Sequence, residues 1–271
     1  MLRGFYTAAA GMVAQQRKTD LLTNNMANSN TPGFKADQSS LRAFPELLLQ
    51  RMGKQTVPVE NAFSIPSSSM VGAVNTGVYM QEVLPKFLQG DLQETQNKTD
   101  LALQDLNPNS TSAVFFSVQD KDGNVKYTRN GNFTLDGEGY LTTANGLYVL
   151  DRGGNRIRLN SVDFTVDSSG QISEQGRQAG TLGIAIAANS NSLIKEGDGL
   201  YRMDKNSALP QAPGASFQVK QGFLERSNVD VSQTMTDMLS AYRSFEANQK
   251  VLQAYDHSMD KAVNEVGRVN G

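Results

Sequence analysis

The chain has 271 residues, of which 38% are hydrophobic and 19% charged, with a net charge of −2. It contains no cysteine, no tryptophan and one histidine, His257, which excludes disulfides, thiol nucleophiles, thiolate metal sites and histidine clusters. Near-neutral charge argues against following nucleic-acid phosphates or coating an anionic bilayer by bulk electrostatics, and no stretch approaches the roughly 20 apolar residues of a membrane span.

The amino end reads as a helix. Leu2, Phe5, Ala9, Met12 and Met26 fall on one 3-4 register, interrupted by Gln16, Thr19 and Thr23. Gly4, Ala8 and Gly11 are small enough to let another backbone approach closely. Read as a secretory leader, this end fails: Gly4, Tyr6, Thr7 and Gly11 dilute the apolar run, and Gln15-Gln16-Arg17-Lys18 follows directly. Asn28-Ser29-Asn30-Thr31-Pro32-Gly33 predicts the helix exit, with Phe34 as the next apolar anchor. Beyond it, Leu41, Phe44, Leu47, Leu48 and Leu49 suggest one short amphipathic helix, and residues 64–78 look extended.

From about 100 to 226 the texture is one of short strands punctuated by Gly, Asn and Asp. Strands are predicted at 113–118, 125–129, 133–136, 140–143, 147–151, 156–159, 162–167, 171–174, 181–188, 200–203 and 216–224. Phe133-Thr134-Leu135-Asp136-x-x-Gly139-x-Leu141 recurs 31 residues later as Phe164-Thr165-Val166-Asp167-x-x-Gly170-x-Ile172, a repeated hairpin solution with Asp opening the turn and Gly at positive φ.

The carboxyl end, 231 to about 266, lacks Pro and Gly. Alternating steps of four and three give Val231, Met235, Met238, Tyr242, Phe245, Gln249, Leu252, Asp256, Met259, Val263 and Val266, and nine of these 11 are apolar. That 3.5-residue repeat reads as a coiled-coil seam, capped by Asp230 and leaving the helix at Gly267. A 36-residue helix would span roughly 54 Å at 1.5 Å per residue, too long for a small β domain to cover, so assembly with other molecules is expected.

Catalytic motifs are weak throughout. Asp120-x-Asp122-x-Asn124 resembles the start of a calcium loop, but Val125 and Gly131 stand where Gly and Glu are required, so a polar turn is the reading. There is no phosphate-cradling glycine loop. His257 has no partner histidine or cysteine, and the carboxylates lie scattered in turns such as Asp136-Gly137-Glu138-Gly139 instead of forming the facing pair that glycoside hydrolysis needs. No catalytic, cofactor or metal residue is assigned, and no enzyme activity is expected.

Three blocks resemble the flagellar rod and hook proteins, the axial family of the bacterial flagellum. The first is Gly4-Phe5-Tyr6-Thr7-Ala8-Ala9-Ala10-Gly11-Met12 with Asn24-Asn25-Met26-Ala27-Asn28-Ser29-Asn30-Thr31-Pro32-Gly33-Phe34-Lys35. The second runs from Gln89-Gly90-Asp91-Leu92 through Asn97-Lys98-Thr99-Asp100-Leu101-Ala102-Leu103 to Tyr127-Thr128-Arg129-Asn130-Gly131-Asn132-Phe133. The third is Gly222-Phe223-Leu224-Glu225-Arg226-Ser227-Asn228-Val229-Asp230-Val231 with the helix that follows. Length and Leu47-Leu48-Leu49 resemble the distal rod branch most, with proximal rod and rod-cap or export-control members as alternatives and a wall-cleaving hydrolase as the competing class. One departure is the segment 107–113 before Phe115-Phe116, where the family usually carries Gly-x-Gly.

The combined expectation is an α+β, mainly β protein: long amino- and carboxyl-terminal helices forming a coiled-coil region, plus a central all-β domain of short antiparallel strands. Its expected divisions are 1–35 with 229–271 for helical assembly, 36–90 connecting, and 91–228 β-rich. The resemblance implies a structural rod subunit of the flagellar basal body that polymerises into a torque-transmitting tube. It also implies type III export without leader cleavage to an extracytoplasmic site. Implied partners are copies of itself, other rod and hook proteins and the export apparatus, with no nucleic acid and no bilayer insertion; no cofactor is implied. The expected assembly interface comprises Phe5, Met12, Met26, Phe34, Met235, Met238, Tyr242, Phe245, Leu252 and Met259. The family signature comprises Asn24, Asn25, Ala27, Asn28, Thr31, Gly33, Phe34, Lys35, Ser227, Asn228 and Val229.

Overall fold

A computed structural model of the chain describes residues 2–56, 64–106, 112–203 and 207–266. The elements in chain order are α1 (Leu2–Ala27), β1 (Asp37–Ala43), β2 (Leu47–Thr56), β3 (Ser64–Val74), β4 (Val78–Pro85), β5 (Leu92–Glu94), β6 (Leu101–Asp105), β7 (Ala113–Gln119), β8 (Val125–Thr128), β9 (Phe133–Leu135) and β10 (Leu141–Thr143). They continue with β11 (Tyr148–Val149), β12 (Phe164–Val166), β13 (Gln171–Glu174), β14 (Arg177–Thr181), β15 (Ile184–Ala187), β16 (Leu193–Gly197), β17 (Leu200–Met203), β18 (Phe217–Gln221), β19 (Phe223–Glu225) and α2 (Val231–Lys261). The chain divides into two compact units: residues 24–38 with 84–234, and residues 1–23 with 39–83 and 235–271.

The larger unit is built on β7. This strand pairs antiparallel with β8, β11 and β15, and an eight-stranded sheet runs β16-β17-β8-β7-β11-β10-β9 with β15 also on β7. All of Ala113-Val114-Phe115-Phe116-Ser117-Val118 is buried. Because strand side chains alternate faces, Val114, Phe116 and Val118 enter one apolar cluster with Leu101, Leu103, Phe133, Leu141, Phe164 and Ile172. Ala113 and Phe115 enter a second, with Tyr127, Ala185, Ala187, Leu193 and Tyr201. A strand buried on both sides reads as a near-continuous apolar run, broken here only by buried Ser117.

The turns between these strands use one chemical solution four times. Asp120, Asp136, Asp151 and Asp167 each open a loop whose Gly three positions on (Gly123, Gly139, Gly154, Gly170) has φ between 83° and 86°. In every case the Asp N–H donates to the carbonyl four residues on, and the Gly N–H returns to the Asp carbonyl. Each Asp Oδ1 also accepts the backbone N–H four residues on, at 3.3, 2.7, 2.8 and 2.8 Å. This is the short side-chain mimicry of a turn that favours Asp, combined with the positive φ that Gly alone adopts cheaply. The sequence reading recognised two of the four copies. Those were the Asp136 and Asp167 copies; the calcium-like Asp120 loop is a third, and its carboxylate is spent on the turn's own N–H groups.

In the smaller unit, β1 pairs with β4, and β2 pairs antiparallel with β3 over Leu47↔Val74 to Thr56↔Ser64. The short amphipathic helix expected around Leu41 to Leu49 is therefore replaced by strands. Leu41, Phe44, Leu47 and Leu48 are all exposed, so no buried face rewards a helix there, whereas pairing with β3 and β4 satisfies the backbone.

The expected coiled-coil region is not what forms. Among the described residues the structure has one α-helix at each end and a large β middle that carries only a short 3-10 turn at Ser190–Ser192, so the mainly β part of the expectation describes it. Where the two helices meet, the apposed groups are small or polar: a Cβ at Gly4 would collide with the Tyr255 hydroxyl, one at Gly11 would lie 2.9 Å from the Asn248 amide, and Thr23 Oγ1 points at Met238 Sδ at 3.8 Å. A coiled coil needs large apolar knobs at these places. The half-buried row of α2 is Met238, Phe245, Asn248, Leu252, Tyr255 and Met259 around buried Ala241, whereas Met235, Tyr242 and Val263 are 53%, 55% and 72% exposed. α2 is capped by Asp230, whose Oδ1 accepts the Gln233 N–H at 3.0 Å; it passes into a π turn over Ala262–Val266. Gly267 lies outside the described residues.

Phe116→Ala removes a fully buried ring from the larger cluster. It should lower unfolding stability by about 3–5 kcal/mol, measured by urea denaturation, whereas Val125→Ala, at a partly exposed position, should change it by less than about 0.5 kcal/mol.

Candidate functional site

The residues that carry the signature converge within the larger unit. At the end of α1, Asn28 to Phe34 form a chain of turns: Thr31 N–H donates to the Asn28 carbonyl at 3.2 Å, its hydroxyl to Asn28 Oδ1 at 3.2 Å, and Phe34 N–H to the Thr31 carbonyl at 3.2 Å. Gly33, at φ 69°, lies against the backbone of Arg129, where a Cβ would come within 2.5 Å of the carbonyl carbon. Its N–H donates to the Glu225 carbonyl at 2.8 Å. Only glycine meets both demands, the left-handed φ and the close approach.

This turn delivers Lys35 into the interior. Its ammonium donates to Glu225 Oε1 at 2.6 Å and to the Leu88 carbonyl at 2.7 Å. On the other side of the same carboxylate, Arg129 Nε donates to Oε2 at 2.6 Å. The Arg129 fork also reaches Asp105 at 3.2 Å and the carbonyls of Val114 and Leu103 at 2.6 and 3.1 Å. Gly90 N–H completes the shell at Glu225 Oε1, 2.9 Å away. Lys35, Arg129 and Glu225 are 2%, 2% and 1% exposed. Two cations thus meet two carboxylates, and the group is neutral as a whole.

Burial opposes charge on Glu225, but Arg129 first and Lys35 second outweigh it and hold the carboxyl below the usual glutamate range. Burial also pulls the Lys35 ammonium below its ordinary value, against the pull of Glu225. Arg129 stays firmly charged: burial works against it, and Glu225 and Asp105 prevail.

Around this core the remaining signature residues act as backbone ties. Asn25 and Asp37 exchange side-chain-to-backbone bonds at 2.9 Å in both directions. Asn228 accepts from Ala36 N–H at 2.7 Å and donates to the carbonyls of Lys86 and Leu88 at 2.7 and 3.0 Å. Buried Phe34 has the Lys195 ammonium 4.1 Å from its ring centroid, and that ammonium pairs with Asp37 at 2.8 Å. Ser227 Oγ accepts from Val229 N–H at 3.4 Å, while Asn24 and Ala27 are exposed. Of the expected interface residues, Phe34 is buried here and Met26 is half-buried. In the smaller unit Phe5, Met12, Met238, Phe245, Leu252 and Met259 are half-buried, and Met235 and Tyr242 are exposed.

Three regions of the chain match family descriptions: residues 5–35 the flagella basal body rod protein, 112–174 the flagellar hook protein FlgE/F/G D1 domain, and 220–265 the flagellar basal body rod FlgEFG protein C-terminal. The flagellar hook-basal body complex protein FlhO of Bacillus subtilis (strain 168) is 44% identical over 278 residues, which cover 99% of this chain and all of that protein. The chain belongs to the flagellar basal-body rod protein family. The flagellar basal-body rod protein FlgG of the same organism is 32% identical over 97% of this chain and 99% of its own length. The flagellar basal-body rod protein FlgF of Caulobacter vibrioides is 32% identical over the whole of both chains.

The ionic group of this rod-family protein joins all three matched regions, Lys35 from the first, Arg129 from the second and Glu225 from the third. Arg129, Asp105 and Glu225 were not singled out as site residues from sequence. Arg129 and Glu225 stand inside the blocks that carry the resemblance, but no spacing rule links positions 35, 129 and 225. Among the described residues, no group of three or more His, Asp or Glu is placed to hold a metal ion, and no helix is long and apolar enough to cross a membrane. His257 is exposed on α2, and residues 107–111 of the departing segment lie outside the described residues.

Glu225→Gln leaves two buried cations against one carboxylate and should cost about 3–5 kcal/mol of stability, measured by urea denaturation at pH 7. Because the folded-state Glu225 titrates below its unfolded counterpart, its contribution is complete above the usual glutamate value of about 4.3 and is lost as pH falls below it. The difference in stability between wild type and Glu225→Gln should therefore shrink on acidification from pH 5 toward about pH 2.

Proposed function

We propose that this protein is a structural subunit of the flagellar basal-body rod, most like the distal rod branch. In this reading it stacks with copies of itself and other axial proteins into a tube that carries torque from motor to hook. It acts by packing and not by catalysis, and it reaches an extracytoplasmic position through the flagellar type III apparatus. The terminal blocks, 1–35 and 229–271, serve assembly; residues 36–90 connect; residues 91–228 form the β-rich body.

The observation that carries this reading is the apolar surface left in water on α2. Met235, Leu239 and Tyr242 are 53%, 50% and 55% exposed along consecutive turns of one face, and on α1 Tyr6 and Val13 are 64% and 46% exposed. A soluble monomer rarely leaves such rows uncovered. Fully burying each large side chain against a neighbour is worth roughly 1.5–3 kcal/mol, repeated for every subunit of a polymer. The similarity of the whole chain to proteins named for the basal-body rod supports the same reading.

Phe245→Asp and Tyr242→Asp should abolish incorporation into basal bodies and motility in a strain lacking the natural protein, while circular dichroism of the purified variants retains the β signal. Normal incorporation of both variants would refute the assignment of this helix to assembly. Electron microscopy of basal bodies from the deletion strain should show a shaft that stops short; a full-length shaft would remove the rod role.

A further inference from the structure

The larger unit carries a polar cleft of about 730 Å³, within the size range of small-ligand sites, and packing into a polymer through the helices gives it no task. Arg158, Asn160, Glu174, Gln175, Arg177 and Gln178 line it. We propose that this cleft binds an acidic glycan, a polyhydroxylated chain bearing carboxylate groups. The proposal stands on the cleft alone and goes beyond the rod role.

The first support is unused positive charge. The cations at Lys35, Lys98, Lys126, Arg129, Lys195 and Arg202 all have carboxylate partners. Among the described residues, Arg158 and Arg177 have none; exposed cations such as Arg152 and Arg156 lack one too, and what sets Arg158 and Arg177 apart is that both line this cleft. Arg158 donates its Nε to the Glu138 carbonyl at 3.1 Å, which leaves its terminal N–H groups for a ligand. Its guanidinium carbon lies 5.8 Å from the Tyr140 ring centroid; the neighbouring Arg156 lies 4.1 Å over Tyr148, and the two tyrosines meet edge to face at 5.6 Å. Held over a ring, a guanidinium keeps its planar fork oriented for a carboxylate.

The second support is the hairpin tip. Gln175 and Gly176 link β13 to β14 with φ of 49° and 78°, and Glu174 faces Arg177 across the turn. A tip with both residues at positive φ favours Asn-Gly or Gly-Gly; here the longer glutamine occupies the strained place and lines the cleft. Turn stability alone does not select that residue.

The remaining lining chooses the ligand class. Glu174 is fixed as an acceptor, its two oxygens receiving the backbone and side-chain N–H groups of Asn160 at 3.0 Å each. A fixed carboxylate among the amides of Asn160, Gln175 and Gln178 suits hydroxyl groups, which both donate and accept. It disfavours a dense run of phosphates more than a sugar chain whose carboxylates are spaced apart and can sit on the two guanidinium groups. Two forks for carboxylate and a rim for hydroxyls together describe an acidic sugar chain.

The test uses the full-length protein and isothermal titration at low salt with four probes: oligogalacturonate, soluble muramic-acid-containing wall fragments, a neutral chito-oligosaccharide of equal length, and inorganic polyphosphate. At least one of the two acidic glycans should bind, with the neutral chain at least about tenfold weaker, and affinity should fall with added salt. The R158Q/R177Q double variant, altered only at exposed positions and checked for an unchanged circular dichroism spectrum, should lose at least about tenfold, the scale of one charge-assisted pair. Tighter binding of the muramic-acid fragments makes wall glycan the source; tighter oligogalacturonate makes it a uronate polymer. Absence of binding to both acidic glycans, undiminished binding by the double variant, or equal or tighter binding of the neutral chain or polyphosphate overturns the proposal.

Discussion

The structure depends on one buried carboxylate. Glu225 is shared by Lys35 and Arg129 at 2.6 Å each, and all three side chains are almost without solvent. Such a cluster is a poor source of net stability, because desolvating each charge costs nearly what pairing returns. Its effect is on specificity. Any arrangement that separates residues 35, 129 and 225 leaves an uncompensated charge in an apolar interior. The cost of being wrong, more than the gain from being right, fixes how the segment after α1 meets the strand before α2. The signature turn at Gly33, the Asn25–Asp37 exchange and the Asn228 ties surround this point and hold the same two segments together.

The β architecture solves a different problem. A strand buried on both faces, β7, supplies two apolar clusters from alternate side chains, and the strands around it are short. Short strands demand many turns. Four of them reuse Asp at the first position and Gly at the fourth, so that the loop satisfies its own N–H groups. The Asp residues that looked most like ligands from sequence are consumed by this local bonding.

The two terminal helices show how far periodicity carries. The apolar repeat of the carboxyl end located α2 and its Asp230 cap correctly, because helix formation and capping are local. It did not identify the partner of each face. The half-buried row runs through Met238, Phe245, Leu252 and Met259, as the repeat implied. The alternate positions of that row are Ala241, Asn248 and Tyr255, in place of the expected Tyr242, Gln249 and Asp256. Gly11 and Gly4 of α1 oppose Asn248 and Tyr255, so a large-residue seam has nothing to interlock with there. Around Leu41 to Leu49 the error was of the opposite kind: a run of leucines suggested a helix, and pairing with distant strands made it β.

The sequence by itself determined the local and the chemical: where the terminal helices lie, where turns fall, and, through three separated blocks, the family. These follow from interactions within a few residues or from composition, and both are written along the chain. Only the tertiary structure decided which charges meet, that Arg129 and Glu225 belong with Lys35, which helix faces stay wet, and that Arg158 and Arg177 share a cleft. Those outcomes join positions separated by tens to hundreds of residues through burial and Coulomb attraction, which act across space and leave no spacing in the sequence to read.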